Sequence, residues 1–372
     1  MRINRRQDAC RPAMRLALLS WRRLMINCCL MMLIVLGILT SEGWGQEREH
    51  YFIAVSTLVA RPLGMGGAFT AVNDDLAALL YNPASFALYQ DYRARRFTLF
   101  LNPVAPIVAL QKPETLFGRV YITWEEAAAV AAMLVKGMTL SLGSFEFGAL
   151  FGEQSPQPER FSAQRVFDAN GYLDNQYNIL AMRMRVAERV SLGGSLGLYY
   201  RSEVERGRRW GVGTSYGVQV RPSRRVAVGV SYLTFPQMAP GYREALERIV
   251  DGGVNLGVSV QSKFGTTVAV DFRNLGDENA ATGELMREAH LGIEQVLLAH
   301  LALRAGVFRK RDENAENHYV LSAGLGLADA NGLWTPKRRF SHSNWILNYG
   351  AVTETLAGQR RFYHALSMIF RL

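Results

Sequence analysis

Cysteine is almost missing from this sequence, and its distribution is informative. The 372 residues hold three, Cys10, Cys28 and Cys29. Lysine is also rare: the basic residues are arginine in all but five cases (Lys112, Lys136, Lys263, Lys310 and Lys337). Charged residues make up only 20% of the chain, which is low for a soluble protein of this size. Beyond residue 46 there is no apolar run long enough for a spanning helix; Ala127–Val135 comes nearest and is too short. Disorder is excluded as well, because 49% of the residues are hydrophobic.

The first 45 residues read as an export signal. Arg2, Arg5, Arg6, Arg11, Arg15, Arg22 and Arg23 precede an apolar run from Leu24 to Thr40, and Gly43 and Gly45 then supply a small-x-small site. Cleavage is expected after Gly45, with Met14 or Met25 as alternative starts. The rival reading is a retained anchor, but the apolar run sits at the lower end of the spanning range. Cleavage would remove all three cysteines. Disulfides, thiolate metal sites and cysteine nucleophiles would then be excluded together. It would also leave 35 Lys and Arg against 30 Asp and Glu, a small and scattered excess. Cys28 and Cys29 lie within the apolar run, which argues against a lipoprotein anchor.

What the mature chain does contain is alternation. In Val190–Arg201 one face carries Val190, Leu192, Leu196 and Leu198, and the other carries Ser191, Gly193, Ser195 and Gly197. In Trp210–Arg221, Val212, Tyr216, Val218 and Val220 oppose Gly213, Ser215, Gly217 and Gln219. This period of two predicts strands with one apolar and one small or polar face. A soluble sandwich would turn the apolar face inward, and a membrane barrel would turn it toward lipid.

Strand length, connections and the C-terminus favour the barrel. Most candidate strands are long enough to cross a bilayer when tilted. Short turns at 186–189, 222–224, 262–265 and 297–299 alternate with longer loops at 202–209, 236–252 and 277–287, as in membrane barrels. The long segment 328–343 breaks this rule. The last residues place Phe362, His364, Leu366, Met368, Phe370 and Leu372 on one face, as a closing strand would. The candidate strands are 97–102, 116–123, 139–151, 176–185, 190–201, 210–221, 225–235, 253–261, 266–274, 288–296, 300–309, 317–327, 344–352 and 362–372. The expected fold is therefore an all-β, 14-stranded antiparallel transmembrane barrel with both ends on the periplasmic side. Glu125–Lys136 has helical propensity.

Residues 46–96 do not alternate. A glycine turn (Gly64, Gly66, Gly67) is expected to lead into a short strand. Asn73 or Asp74 then caps a short helix at Asp75–Tyr81, and Asn82-Pro83 ends it. The expected organisation is a signal at 1–45, an N-terminal hatch or plug at 46–96 and the barrel at 97–372.

Leu63-Gly-Met-Gly-Gly-Ala-Phe-Thr-Ala-Val72, Asp74-Asp75 and Tyr81-Asn-Pro-Ala84 resemble the N-terminal signature of the FadL/TodX-type outer-membrane transport barrels, and more closely that of their PorV/PorQ-type relatives. Gly253-Val-Asn-Leu-Gly-Val, Val268-Ala-Val-Asp-Phe-Arg-Asn-Leu, His290-Leu-Gly-Ile-Glu and Leu303-Arg-Ala-Gly-Val follow in the order expected for such chains. The resemblance implies a 14-stranded barrel with its N-terminal segment folded inside. Asn82, Pro83 and Ala84 would be the hatch motif, and with Gly64, Gly66 and Gly67 would form the ligand gate. FadL-type members pass hydrophobic molecules such as fatty acids; PorV-type members work with a secretion machine and bind exported proteins. The implied partners are accordingly outer-membrane lipid and lipopolysaccharide, with either a hydrophobic small molecule or a secretion-system protein. No cofactor is implied.

Other patterns carry less. Gly213-Thr-Ser-Tyr-Gly217 has the G-x-S-x-G form of a serine hydrolase, but sits in mid-strand where no sharp strand-to-helix turn is expected. Gly64-Met-Gly-Gly lacks the third glycine and the βαβ setting of a dinucleotide fingerprint. His50, His290, His300, His318, His342 and His364 show no metal-ligand spacing. Arginine-rich stretches at Arg206–Arg209 and Lys337–Arg339 read as solvated loop charge or as sites for lipopolysaccharide phosphate. With charge this dispersed and no recognised module, nucleic acid is not an expected partner, and neither an enzyme nor a metal protein is expected. The expected location is the outer membrane, and the leading function is passive passage of small hydrophobic molecules.

Overall fold

A computed structural model describes residues 49–52, 60–73, 76–86, 96–101, 123, 124, 127, 134–153, 175–203, 207–233, 253–276, 287–297, 300–311, 317–328, 345–356 and 359–371. The expected export segment, 1–45, lies outside them.

The strands are β1 (Glu49–Phe52), β2 (Arg96–Leu101), β3 (Val135–Leu142), β4 (Phe145–Glu153), β5 (Asn175–Ala187), β6 (Val190–Glu203), β7 (Gly207–Val220), β8 (Val226–Leu233), β9 (Gly253–Gln261), β10 (Thr266–Arg273), β11 (Glu288–Leu297), β12 (Leu301–Arg311), β13 (Asn317–Ala328), β14 (Trp345–Leu356) and β15 (Gln359–Arg371). From β2 to β15 each strand pairs antiparallel with the next, and β15 returns to β2 through Met368↔Leu101 to Arg371↔Thr98. The result is a closed 14-stranded barrel. β1 adds to the wall in parallel, from Glu49↔Arg361 to Phe52↔His364. The edge of β15 is thus shared: β2 takes its end and β1 the stretch before it.

The alternation seen in the sequence is the alternation of the wall. Leu180, Val212 and Tyr216 are 61%, 59% and 58% exposed on the outside. Gly213, Ser215, Gly217 and Gln219 are buried on the inside of the same strand β7. Burying one such apolar side chain is worth about 1.5–3 kcal/mol, and this wall leaves a full band of them facing out. A band of that kind has no stable place in water, so the barrel sits in a membrane with its apolar face on lipid. The sandwich alternative, with an apolar interior, does not hold.

Several expectations need correction. The segment 139–151 is not one strand. It is the hairpin β3–β4, turned at Gly143, whose φ of +64° is costly for residues with a Cβ. Candidate strand 116–123 falls outside the described residues except Thr123, which is not in a strand. Of the helix expected over 125–136, most lies outside the described residues; Ala127 and Leu134 are helical, with Ala127 N donating to Thr123 O. Its last two positions, Val135 and Lys136, belong to β3 instead, where sheet pairing overrides helix propensity. The loop at 202–209 shrinks to 204–206 because β6 and β7 continue their pairing to Glu203↔Gly207. The connections of 33, 21, 19 and 14 residues implied after β2, β4, β8 and β10 all leave one end of the barrel, and most tight turns close the other. The segment between β13 and β14 remains long at the tight-turn end.

Candidate functional site: the lumenal plug

Residues 60–73 and 76–86 lie inside the barrel and are almost fully buried there. It begins with a short helix, α1 (Ala60–Gly64). Met65 N and Gly67 N donate to Pro62 O at 3.0 and 2.8 Å, and Gly66 N donates to Leu63 O at 3.1 Å. Gly66 and Gly67 then adopt φ of +60° and +73°, two successive left-handed residues that reverse the chain.

The short strand expected after this turn does not form. Ala68–Val72 crosses the lumen as irregular chain, because wall side chains supply the bonds a sheet would have made. Asp271 Oδ2 of β10 accepts from both Phe69 N and Thr70 N at 2.7 Å. Gln219 Nε2 of β7 and Ser259 Oγ of β9 both donate to Ala71 O, at 3.0 and 2.9 Å. Such partners are required, since an unpaired buried peptide group costs about 1–3 kcal/mol.

A 3₁₀ helix at Leu76–Leu80 follows, in place of the α-helix expected there. Asn73 does not cap it: its Oδ1 accepts no hydrogen bond among the described residues, and Asp74 lies outside them. Leu76, Leu79 and Leu80 pack with Phe86 and with inward-facing Phe100, Leu150 and Ile179 into one apolar cluster. The helix ends as expected at Asn82-Pro83. Asn82 Nδ2 donates to Thr70 O at 2.9 Å and to Val218 O of β7 at 3.2 Å, while its Oδ1 accepts from Ala84 N at 2.9 Å. Ser191 Oγ of β6 donates to Ala84 O, and Ser231 Oγ of β8 donates to Tyr81 O. One asparagine therefore joins the two halves of the plug to each other and to the wall.

The wall meets this backbone with glycine. A Cβ at Gly193 would overlap the Pro83–Ala84 peptide, and one at Gly306 would overlap the Met65–Gly66 peptide. Gly350 presses on the Ala60 carbonyl in the same way, Gly257 approaches Thr70 and Ala71, and Gly137 and Gly217 meet the plug side chains of Leu76 and Asn82. The belt continues around most of the circumference and fixes the plug's height by steric fit.

Charges hold the plug where its helix and turn meet β10–β12. Arg61 donates to Glu294 through Nε to Oε2 at 2.8 Å and through Nη2 to Oε1 at 2.6 Å. Arg304 Nε donates to the same Oε2 at 2.6 Å. His290 Nδ1 lies 2.6 Å from Gly66 O, its Nε2 lies 3.0 Å from Glu288 Oε2, and its ring stacks on Phe308. The Arg273 guanidinium sits 4.6 Å from the centre of the Tyr81 ring. Burial pushes the Tyr81 phenol up to about 12, with Arg273 pulling against it and Asp271 adding to it.

The six expected gate residues fall into two groups. Gly64, Gly66 and Gly67 meet β10–β13, through Gly324, Gly306 and the side chains of Arg273 and His290. Asn82, Pro83 and Ala84 meet β6–β8. The bond from Asn82 to Thr70 O links the groups. The wall side of the site, Asp271, Glu294, Arg304, His290, Gln219 and Ser259, was not foreseen. Its signal was present as charged or amide residues on strand faces that otherwise carry small ones. Ser215, the serine of G-x-S-x-G, lies on the flat inner face of β7 and not at a strand-to-helix turn. Tyr349 Oη and His364 Nδ1 pair at 2.6 Å on adjacent strands β14 and β15.

No protein-family model matches the chain, and no curated protein matches its sequence. Three solved structures are similar to it. The CymD monoaromatic hydrocarbon channel is 14% identical, with a TM-score of 0.46 over 85% of this chain and 96% of that one. The Ralstonia pickettii toluene transporter TbuX is 13% identical, with a TM-score of 0.44 over 83% and 96%. The Pseudomonas putida toluene transporter TodX is 12% identical, with a TM-score of 0.46 over 84% and 96%.

Proposed function

We propose that this chain is an outer-membrane channel for passive passage of small hydrophobic molecules, with the segment Ala60–Phe86 as its gate. The observation that carries this reading is the apolar sector of the lumen. A barrel for polar solutes lines its interior with polar groups and water. Here Phe100, Leu150 and Ile179 point inward and meet Leu76, Leu79 and Phe86 of the plug. A solute moving along β2–β5 would exchange one apolar contact for another, with little desolvation cost. The six residues Gly64, Gly66, Gly67, Asn82, Pro83 and Ala84 are the gate's hinge and latch in this reading.

Uptake of toluene and of a labelled long-chain fatty acid, by cells with and without the protein, tests the reading. Protein-dependent uptake of either supports it and identifies the solute class. Equal uptake, with the barrel verified as folded and inserted, overturns it in favour of a barrel that binds exported proteins.

A further inference from the structure

The tight turns at one end of the barrel form a continuous rim. Arg185 N donates to Ser144 O, Arg221 N to Arg189 O, Gln261 N to Arg225 O and Val296 N to Gly265 O, at 2.7 to 3.0 Å. Each bond ties one hairpin turn to the next. The rim therefore holds its side chains in a fixed arc, with successive turns about 10 Å apart.

Among the described turns of this end, cations are concentrated on three consecutive ones. Arg189 lies after β5, Arg224 and Arg225 after β7, and Lys263 after β9, all exposed. Arg189 Nη1 donates to Pro222 O at 3.0 Å, so the first turn reaches across to the second. The neighbouring turns, Gly143–Ser144 on one side and the turn at His300 on the other, carry no lysine or arginine. The only acid on the three turns is Glu188. Directly against the arc lies the outward apolar band, with Val186 at 56%, Val220 at 38% and Val260 at 46% exposure. Phe264, exposed within the third turn, lies under Lys263 Nζ at 5.2 Å.

We propose that this arc is a binding surface for the phosphates of anionic phospholipids in the periplasmic leaflet. The apolar band fixes where the acyl chains end, so the groups meeting Arg189, Arg224, Arg225 and Lys263 are the headgroups of that leaflet. Arginine forks suit phosphate oxygens, and the aromatic ring of Phe264 marks the same interface. The arc runs from β5 to β10, so it addresses lipid on that flank of the barrel. The inference concerns the wall and holds whatever solute the lumen passes.

Electron spin resonance of spin-labelled phosphatidylglycerol and phosphatidylcholine, with the full protein in phosphatidylcholine vesicles, tests it. The expected result is preferential association of phosphatidylglycerol by at least about fivefold, the factor one cation near an anionic surface contributes. That preference falls toward unity in high salt and in the variant R189Q/R224Q/R225Q/K263Q, which retains the heat-modifiable gel mobility of a folded barrel. Should that variant not fold, the salt dependence and R224Q/R225Q alone decide. Equal association of the two lipids, or a preference unchanged by salt or by the substitutions, overturns the proposal.

Discussion

Arg61 and Glu294 meet as a two-pronged ion pair although 233 residues separate them, and they bind the plug's helix to the inside of β11. Arg304 completes the cluster on the wall side, so two guanidinium groups share one buried carboxylate. Glu294→Gln removes the charge that both arginines face. Breaking a buried pair in this way costs about 3–5 kcal/mol. The barrel itself keeps its strand pairing. We expect normal insertion, a lower thermal midpoint and protease access at Arg61. Unchanged protection of the plug would show that this pair does not hold it.

Gly193 and Gly194 are neighbours on β6 with opposite tasks. A side chain at Gly193 collides with the Pro83–Ala84 peptide, whereas one at Gly194 lies 3.8 Å from Ser215 O and otherwise meets the Tyr216 ring. Gly193→Val is expected to displace the plug and raise ion conductance in planar bilayers, while Gly194→Val leaves it unchanged. Equal conductance in the two variants would contradict the steric role of the belt.

Asn82→Ala deletes three hydrogen bonds and leaves buried backbone groups of Thr70, Val218 and Ala84 without that partner. At roughly 1 kcal/mol or more each, the loss is several kcal/mol. Pro83→Ala deletes none of them and is expected to act more weakly. Altered uptake of hydrophobic solute in the first variant, with the barrel folded, is the expected outcome. Wild-type uptake in both would remove this motif from the gate.

Tyr81 gives a pH dependence with a defined sign. Its ionisation is pushed up to about 12 from the ordinary 10.0. The folded form therefore holds its proton where an unfolded chain releases it. The stability this contributes is complete below about pH 10 and is lost as pH rises toward 12. Absorbance titration near 295 nm should show a late-titrating tyrosine that is missing in Tyr81→Phe. Identical titration curves for the two proteins would refute the assignment.

The wall was legible in the sequence because period two is a local property. Each of Leu192, Leu196 and Leu198 marks its own face without reference to any other strand. The hairpin β3–β4 was missed for a local reason too: Leu142-Gly-Ser-Phe145 turns in two residues and keeps the apolar count on either side. The plug was legible only as a resemblance around Gly64–Ala84. Its partners were not, because Asp271, Glu294 and Ser259 act at separations near two hundred residues. In one dimension they are merely polar residues on an inward face. The failed strand at Ala68–Val72 has the same cause, since its bonding partners are side chains of β7, β9 and β10.

The shared edge of β15 bears on assembly. The stretch containing the plug begins after β1 and ends before β2, and both of these strands pair with the same last strand. The plug is therefore a loop moored at both ends and not a free tail. Until residues 361–371 arrive, β1 lacks its partner and β2 is held on its β3 side alone. Sealing the wall and tying down the start of the plug then become a single late event in the life of the chain, and a truncation that removes β15 would undo both at once.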